Sequence, residues 1–183
     1  RKQEVRVKLP IMLAATQNLG EYQIVVAGAP SLSPNFYSDV LSHRDMALAQ
    51  VIFDQTYDVL SFSEAAIVTS GTATLETALL GIPEVVCYKG SELSYQIAKR
   101  LIKIPYISLV NLILMKETVK ELIQSECNAE NIRKHLALIL KGGVGRSKML
   151  LDFDLLKKNL GEGGASAKIA HAMLKTIQDR RSS

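Results

Sequence analysis

The stretch Ala65-Ala66-Ile67-Val68-Thr69-Ser70-Gly71-Thr72-Ala73-Thr74-Leu75-Glu76, continuing through Gly81 and Pro83 to Glu84-Val85-Val86-Cys87-Tyr88, decides the fold. Its first five residues form an apolar run of strand length. Gly71 to Leu80 follows with helical character, stopped by Gly81 and then Pro83. Glu84 to Tyr88 is a second apolar strand. Strand, tight turn, helix, strand is one βαβ unit, and such units build parallel sheets.

The same alternation extends outward. Upstream, Val5, Leu9, Met12 and Leu13 mark one face of a helix, with a kink or fresh start expected at Pro10 and a stop at Gly20. Tyr22 to Ala27 reads as a buried strand ending at Gly28, and Pro34 opens a short helix through Val40 and Leu41. Ala49 to Phe53 reads as the next strand, and Thr56 is placed to cap a helix carrying Tyr57, Val59 and Leu60.

Downstream, Leu93, Ile97 and Leu101 share a helix face, opposite Lys99, Arg100 and Lys103, and Tyr106 to Leu109 reads as a short fifth strand. From Glu117 the pattern is helical. Val119 and Leu122 belong to one helix, and Ile132, Leu136 and Ile139 to another capped by Asn128; Met149 to Leu160 and the face of Ile169, Met173, Leu174 and Ile177 follow a glycine break at 142–145. The expected fold is α/β: a Rossmann-like, mostly parallel sheet of five or six strands with flanking helices and a helical C-terminal extension.

Composition narrows the partners. Hydrophobic residues are 48% and charged residues 22%, so the chain can build a core and is not disordered as a whole. The net charge of +4 favours anionic partners such as phosphates, nucleotides or an acidic membrane surface. With 5% aromatics, no Trp and no dense Lys/Arg run, nucleic acid is not an expected partner. No apolar stretch approaches the ~20 residues of a membrane span. Cys87 and Cys127 stand apart from any metal-ligand spacing and read as reduced thiols, with Cys87 buried in its apolar run. The chain opens on Arg1-Lys2-Gln3-Glu4, without an initiating Met, and is expected to begin inside something longer.

The turn Ser70-Gly71-Thr72-Ala73-Thr74 lies at the carboxyl end of a strand, where open α/β sheets bind ligands. Its small residues admit an anion to the amides of a helix start. Glu76, four residues after Thr72, shares its helix face and can accept hydrogen bonds from vicinal hydroxyls such as those of a ribose. A plain structural reading stands beside this one: Thr72 caps the helix, and Glu76 favours its N-terminus electrostatically. His43, His135 and His171 read as surface or interface residues, and Gly142 to Gly145 lacks the Lys-Ser/Thr ending of a P-loop.

The segment Ser70 to Glu76, followed by Pro83 to Lys89, resembles the signature of bacterial lipid-A-disaccharide synthases. The similarity continues through Ala98 to Leu101, Pro105 to Leu109, Asn111-Leu112 and Val119 to Cys127, and Arg1 with Glu4 resembles the end of that family's Gly-Ser-Arg-x-x-Glu segment. The resemblance covers Arg1 to about Leu140. It implies one half of a GT-B glycosyltransferase: residues 1–141 as the nucleotide-sugar domain, 142–183 as its helical extension, and an acceptor domain absent from this chain.

By that resemblance, the donor is UDP-2,3-diacylglucosamine and the acceptor 2,3-diacylglucosamine 1-phosphate, with neither metal nor cofactor. Arg1, Gly71, Thr72 and Ala73 would face the diphosphate and Glu76 the ribose, with Asn111 at the cleft. The loop from Asp54 to Tyr57 would read uracil through its backbone. Val110 stands where many relatives have proline. The general base would come from the acceptor domain. The expected setting is the cytoplasmic face of the inner membrane, held peripherally, with a homodimer as one assembly. Two other readings are compatible with the residues: another UDP-sugar enzyme, such as a 2-epimerase or the peptidoglycan glycosyltransferase, and a non-catalytic assembly domain.

Overall fold

In the computed structural model, which describes residues 2–91 and 105–161, every strand pairs in parallel. Helix α1 (Lys2–Thr16) leads to β1 (Ile24–Gly28), α2 (Pro34–Val40), α3 (His43–Leu48), β2 (Ala49–Phe53) and α4 (Thr56–Ser61). Then come β3 (Ala66–Thr69), α5 (Thr72–Leu79), β4 (Glu84–Tyr88), α6 (Leu109–Leu114), β5 (Lys120–Ile123), α7 (Ala129–Ile139) and α8 (Arg146–Leu160). The strands form two sheets, ordered β1-β2 and β3-β4-β5, where a single sheet is expected from sequence. Arg1, the Lys99–Arg100–Lys103 face, the last helix and His171 lie outside the described residues.

Each sheet has its own core. Val85, Val86 and Cys87 of β4 pack with Leu122 of β5, Ile132 of α7 and Phe153 of α8, all fully or almost fully buried. Leu9 and Leu13 of α1 pack with Phe36 and Tyr37 of α2 against β1 and β2. The helix α1 continues through Pro10, which only forgoes one amide bond. Arg133 of α7 donates to the carbonyls of Ala14 (2.8 Å) and Ala15 (3.3 Å), so a cation holds the C-terminal end of α1.

Two expected elements are placed differently. Tyr106 to Leu109 is not a strand: Ser108 caps α6 by accepting from the Asn111 amide, and Leu109 already belongs to that helix. The residues around Val119 and Leu122 are not helical; Lys120 to Ile123 pair with Val85 to Tyr88. A buried parallel strand needs no alternation, and the polar pair Lys120-Glu121 conceals it. Thr56 starts α4, but Gln55 occupies the cap position without a side-chain bond. Asn128 caps α7 as expected, accepting from the Asn131 amide.

One buried carboxyl has no partner among the described residues. Glu84 opens β4 at 0% exposure, and neither carboxyl oxygen meets a hydrogen-bond partner among the described residues. Burial pushes its pKa well above the ordinary carboxylate range. A raised folded-state value means that the native protein holds this proton where the unfolded chain has released it. Stability attributable to Glu84 is therefore present below the unfolded value near ~4.3 and is lost as pH rises towards the folded value, at up to about 1.4 kcal/mol per pH unit. Glu84→Gln should melt higher than wild type at neutral pH, and the gap should close as the pH falls to about 4. Parallel pH–stability curves would remove this account.

Candidate functional site

The turn after β3 is shaped by its neighbours. Ser70 donates its amide to the carbonyl of Cys87 (3.2 Å), tying the turn to the end of β4. Gly71 adopts φ 145° and ψ −164°, a conformation essentially reserved for glycine. Its carbonyl accepts from the Thr74 hydroxyl (2.8 Å) and amide (3.3 Å), which closes the first turn of α5. Thr74 and Thr77 are buried, and Thr77 donates to the Ala73 carbonyl at 2.8 Å.

Gly71 is thus the cap residue, and Thr72 makes no capping bond. This corrects the reading of Thr72 as a cap. Gly71, Thr72 and Ala73 are all exposed at the carboxyl end of β3. Their amides donate to no acceptor among the described residues. Three free N–H groups at a helix start, with the helix dipole behind them, form a positive surface suited to an anion. Glu76, one turn further in, is half-buried and forms no hydrogen bond or ion pair with a described residue. Its carboxylate is uncommitted to the fold.

The Asp54–Tyr57 loop stands at the same edge. Asp54 takes a left-handed φ of 57° at the end of β2. Gln55 and Thr56 line, with Ala73 and Thr77, one cleft of about 900 Å³ between β1 and β3. The structure therefore brings Gln55 and Thr56 of the loop and Ala73 of the turn to a common cleft. Tyr57 is 61% exposed, and its side chain lies outside the cleft lining, as do Gly71, Thr72 and Glu76.

Asn111 is placed differently from the expectation of a cleft residue. It is fully buried, and its amide group is spent on the protein. The Asn111 carbonyl oxygen accepts from the amides of Thr118 (2.8 Å) and Val119 (2.9 Å). Its NH₂ donates to the Val119 carbonyl and to Glu121, both at 2.9 Å. Glu121 also accepts from the amides of Ile107 and Ser108 and from the Ser108 hydroxyl. This buried network clamps the start of α6 to β5, and no group of the Asn111 amide is left for a ligand.

The sequence reading overlooked Gln124. From a left-handed φ of 52°, its amide accepts from the Gly90 N–H (2.8 Å) and donates to the Gly90 carbonyl (3.3 Å). It thereby fixes the loop after β4 at the same carboxyl edge. Nothing in the composition around Gln124 signals this, because non-glycine left-handed residues have no sequence mark outside Asn and Asp. Cys87 and Cys127 are buried free thiols; their mutual hydrogen bond lowers Cys127 to about 7 and pushes Cys87 up. Neither His43 nor His135 borders the cleft. Among the described residues no His/Cys/Asp/Glu group is arranged to hold a metal.

Sequence comparison settles the lineage of this arrangement. A family model described as lipid-A-disaccharide synthetase matches residues 1–172. The chain belongs to the lipid-A-disaccharide synthase family. It is 38% identical to the lipid-A-disaccharide synthase of Syntrophus aciditrophicus over 97% of its own length and 48% of that protein. It is 33% identical to the enzyme of the same name in Geobacter sulfurreducens, over 97% of this chain and 47% of the relative. For the Acidobacterium capsulatum protein the figures are 35%, 95% and 48%. The chain therefore spans about half the length of the curated lipid-A-disaccharide synthases it matches. Among the described residues no helix is long and apolar enough to cross a membrane.

Proposed function

We propose that this chain is the donor-nucleotide half of a lipid-A-disaccharide synthase, a domain of residues 1–141 with a helical extension over 142–183. In this reading the whole protein transfers 2,3-diacylglucosamine from its UDP carrier to 2,3-diacylglucosamine 1-phosphate. The observation that carries it is the exposed trio of amides at Gly71, Thr72 and Ala73, seconded by the uncommitted Glu76. The diphosphate sits against the amides, and Glu76 accepts from the ribose hydroxyls. As the glycosidic bond to UDP breaks, negative charge grows on the diphosphate, and pre-aimed N–H donors stabilise it. Arg1 adds a cation there. The attacking oxygen belongs to a sugar hydroxyl of the acceptor, and the general base that takes its proton comes from the acceptor-binding half.

The family match weighs against the 2-epimerase and peptidoglycan readings. An amphiphilic acceptor and a net charge of +4 favour peripheral attachment at an anionic cytoplasmic membrane face. Titrating full-length protein with UDP, wild type against Glu76→Ala, tests the assignment. Loss of two hydrogen bonds to a charged group should weaken UDP about 10- to 100-fold while leaving stability within about 0.5 kcal/mol. Equal affinity would remove the ribose role, and no affinity in either protein would leave an assembly domain.

A further inference from the structure

A second cavity, of about 310 Å³, lies at the other end of the strands from Gly71. It is bordered by α7, α8 and the beginnings of β4 and β5. Glu84, the first residue of β4, is part of its wall. β3, β4 and β5 run in parallel, so the Gly71 turn stands at their carboxyl ends and this cavity at their amino ends.

Around the cavity the chain closes two ion pairs and leaves two groups of opposite charge unmatched. Lys120 meets Glu117 at 2.9 Å, and Lys116 meets Asp152 at 2.6 Å. The carboxyl oxygens of Glu84 meet no partner among the described residues, although the side chain is fully buried. Even the Glu84 amide faces sulfur, donating to Met149 Sδ at 3.4 Å. Lys148, exposed on α8, forms no ion pair with a described residue. His135 adds no charge at neutral pH: its pKa is lowered by burial first and by Lys120 and Lys134 next.

Buried carboxyls are normally paired or hydrogen-bonded, because their desolvation is otherwise uncompensated. For the fold alone an apolar side chain would serve better at this position, since Glu84 contributes no side-chain bond to the described structure. Much of the remaining wall is apolar, with Val85, Leu138, Ile139 and Met149. An unmatched carboxyl, an unmatched ammonium and an apolar wall together describe the complement of a particular kind of molecule.

We propose that this cavity binds a small zwitterion, a primary ammonium joined by a short methylene chain to a carboxylate. The ammonium donates to the Glu84 carboxylate, and its three N–H groups suffice for both oxygens. The methylenes lie against Met149, Ile139 and Leu138, and the ligand's carboxylate faces Lys148. A plain cation would leave Lys148 unmatched, and a plain anion would leave Glu84 so. The volume stands at the lower end for small-molecule sites, which admits a compact compound of a few carbons. The inference is independent of what binds at the Gly71 edge.

Titration of the full-length protein with β-alanine and γ-aminobutyrate, read by calorimetry and thermal melts, tests it. At least one of them should bind saturably and raise the melting temperature. Glu84→Gln should weaken that binding about 10- to 100-fold, as the loss of a buried charge-assisted contact does. Lys148→Met should weaken it about two- to fivefold, as the loss of an exposed pair does. Ethylammonium and propionate, each half of the ligand, should bind about tenfold more weakly or worse. With isotope labels on the glutamate carboxyl carbons of the wild-type protein, the Glu84 resonance should move along the same saturation curve, a readout that needs no variant to fold. Failure of both zwitterions to bind at about 10 mM, beyond a millimolar dissociation constant, would overturn the proposal. So would undiminished affinity in either variant, a Glu84 resonance unmoved at saturation, or ethylammonium binding as tightly as the zwitterions.

Discussion

Asn111→Leu should lower stability by about 3–4 kcal/mol and leave the UDP affinity of the folded protein unchanged. Leucine nearly matches asparagine in size, so the loss is chemical. It strands the Thr118 and Val119 amides and the Val119 carbonyl, all facing Asn111 in the interior. Each orphaned group costs roughly 1–3 kcal/mol, with sums reduced because the network relaxes together. Glu121 keeps its bonds from Ile107 and Ser108, so the clamp is weakened rather than abolished. In a domain of this size the melting temperature should fall by about 10 °C. A variant that melts like wild type but binds UDP poorly would return Asn111 to the ligand site.

Gly71→Val carries the largest expected effect on binding. At φ 145° a side chain is strained by roughly 1–3 kcal/mol even where space is open. Space is open here, since a Cβ at Gly71 meets nothing within 4 Å. The strain is relieved if the turn rotates, and rotation turns the Thr72 and Ala73 amides away from their common focus. Losing one or two charge-assisted bonds should weaken UDP about 10- to 100-fold or more. Thr72→Ala is the matching control. Thr72 makes no capping bond, so its stability should stay within about 0.5 kcal/mol of wild type, with the amides intact. Isothermal calorimetry with UDP, paired with thermal melts, separates the two effects. Unchanged affinity in Gly71→Val would place the diphosphate elsewhere.

The βαβ unit around Gly71 was legible because three signals agree there: apolar strand runs, a glycine turn and a Gly-x-Pro stop. β2 and β4 fall on the expected residues for the same reason. β5 was hidden because a buried strand loses its alternation, and Val119 with Leu122 imitates a helical spacing. Tyr106 to Leu109 misled through its β-favouring composition, while the Ser108 cap and its Glu121 partner act over tertiary distance. The division of the sheet into two could not be read locally, because β1 has the composition of a central strand. At the site, the glycine turn and the four-residue spacing from Thr72 to Glu76 can be read from the sequence, and the structure leaves Gly71, Thr72 and Ala73 exposed and Glu76 half-buried. The place of Asn111 cannot be read so, since an asparagine that builds the interior and one that meets a ligand look alike in sequence.

Amide-resolved NMR of isotope-labelled full-length protein during a UDP titration addresses the donor site most directly. The Gly71, Thr72 and Ala73 amides should move furthest and saturate along one common binding curve. Saturable shifts confined to other parts of the chain, with these three amides unmoved, would contradict the account.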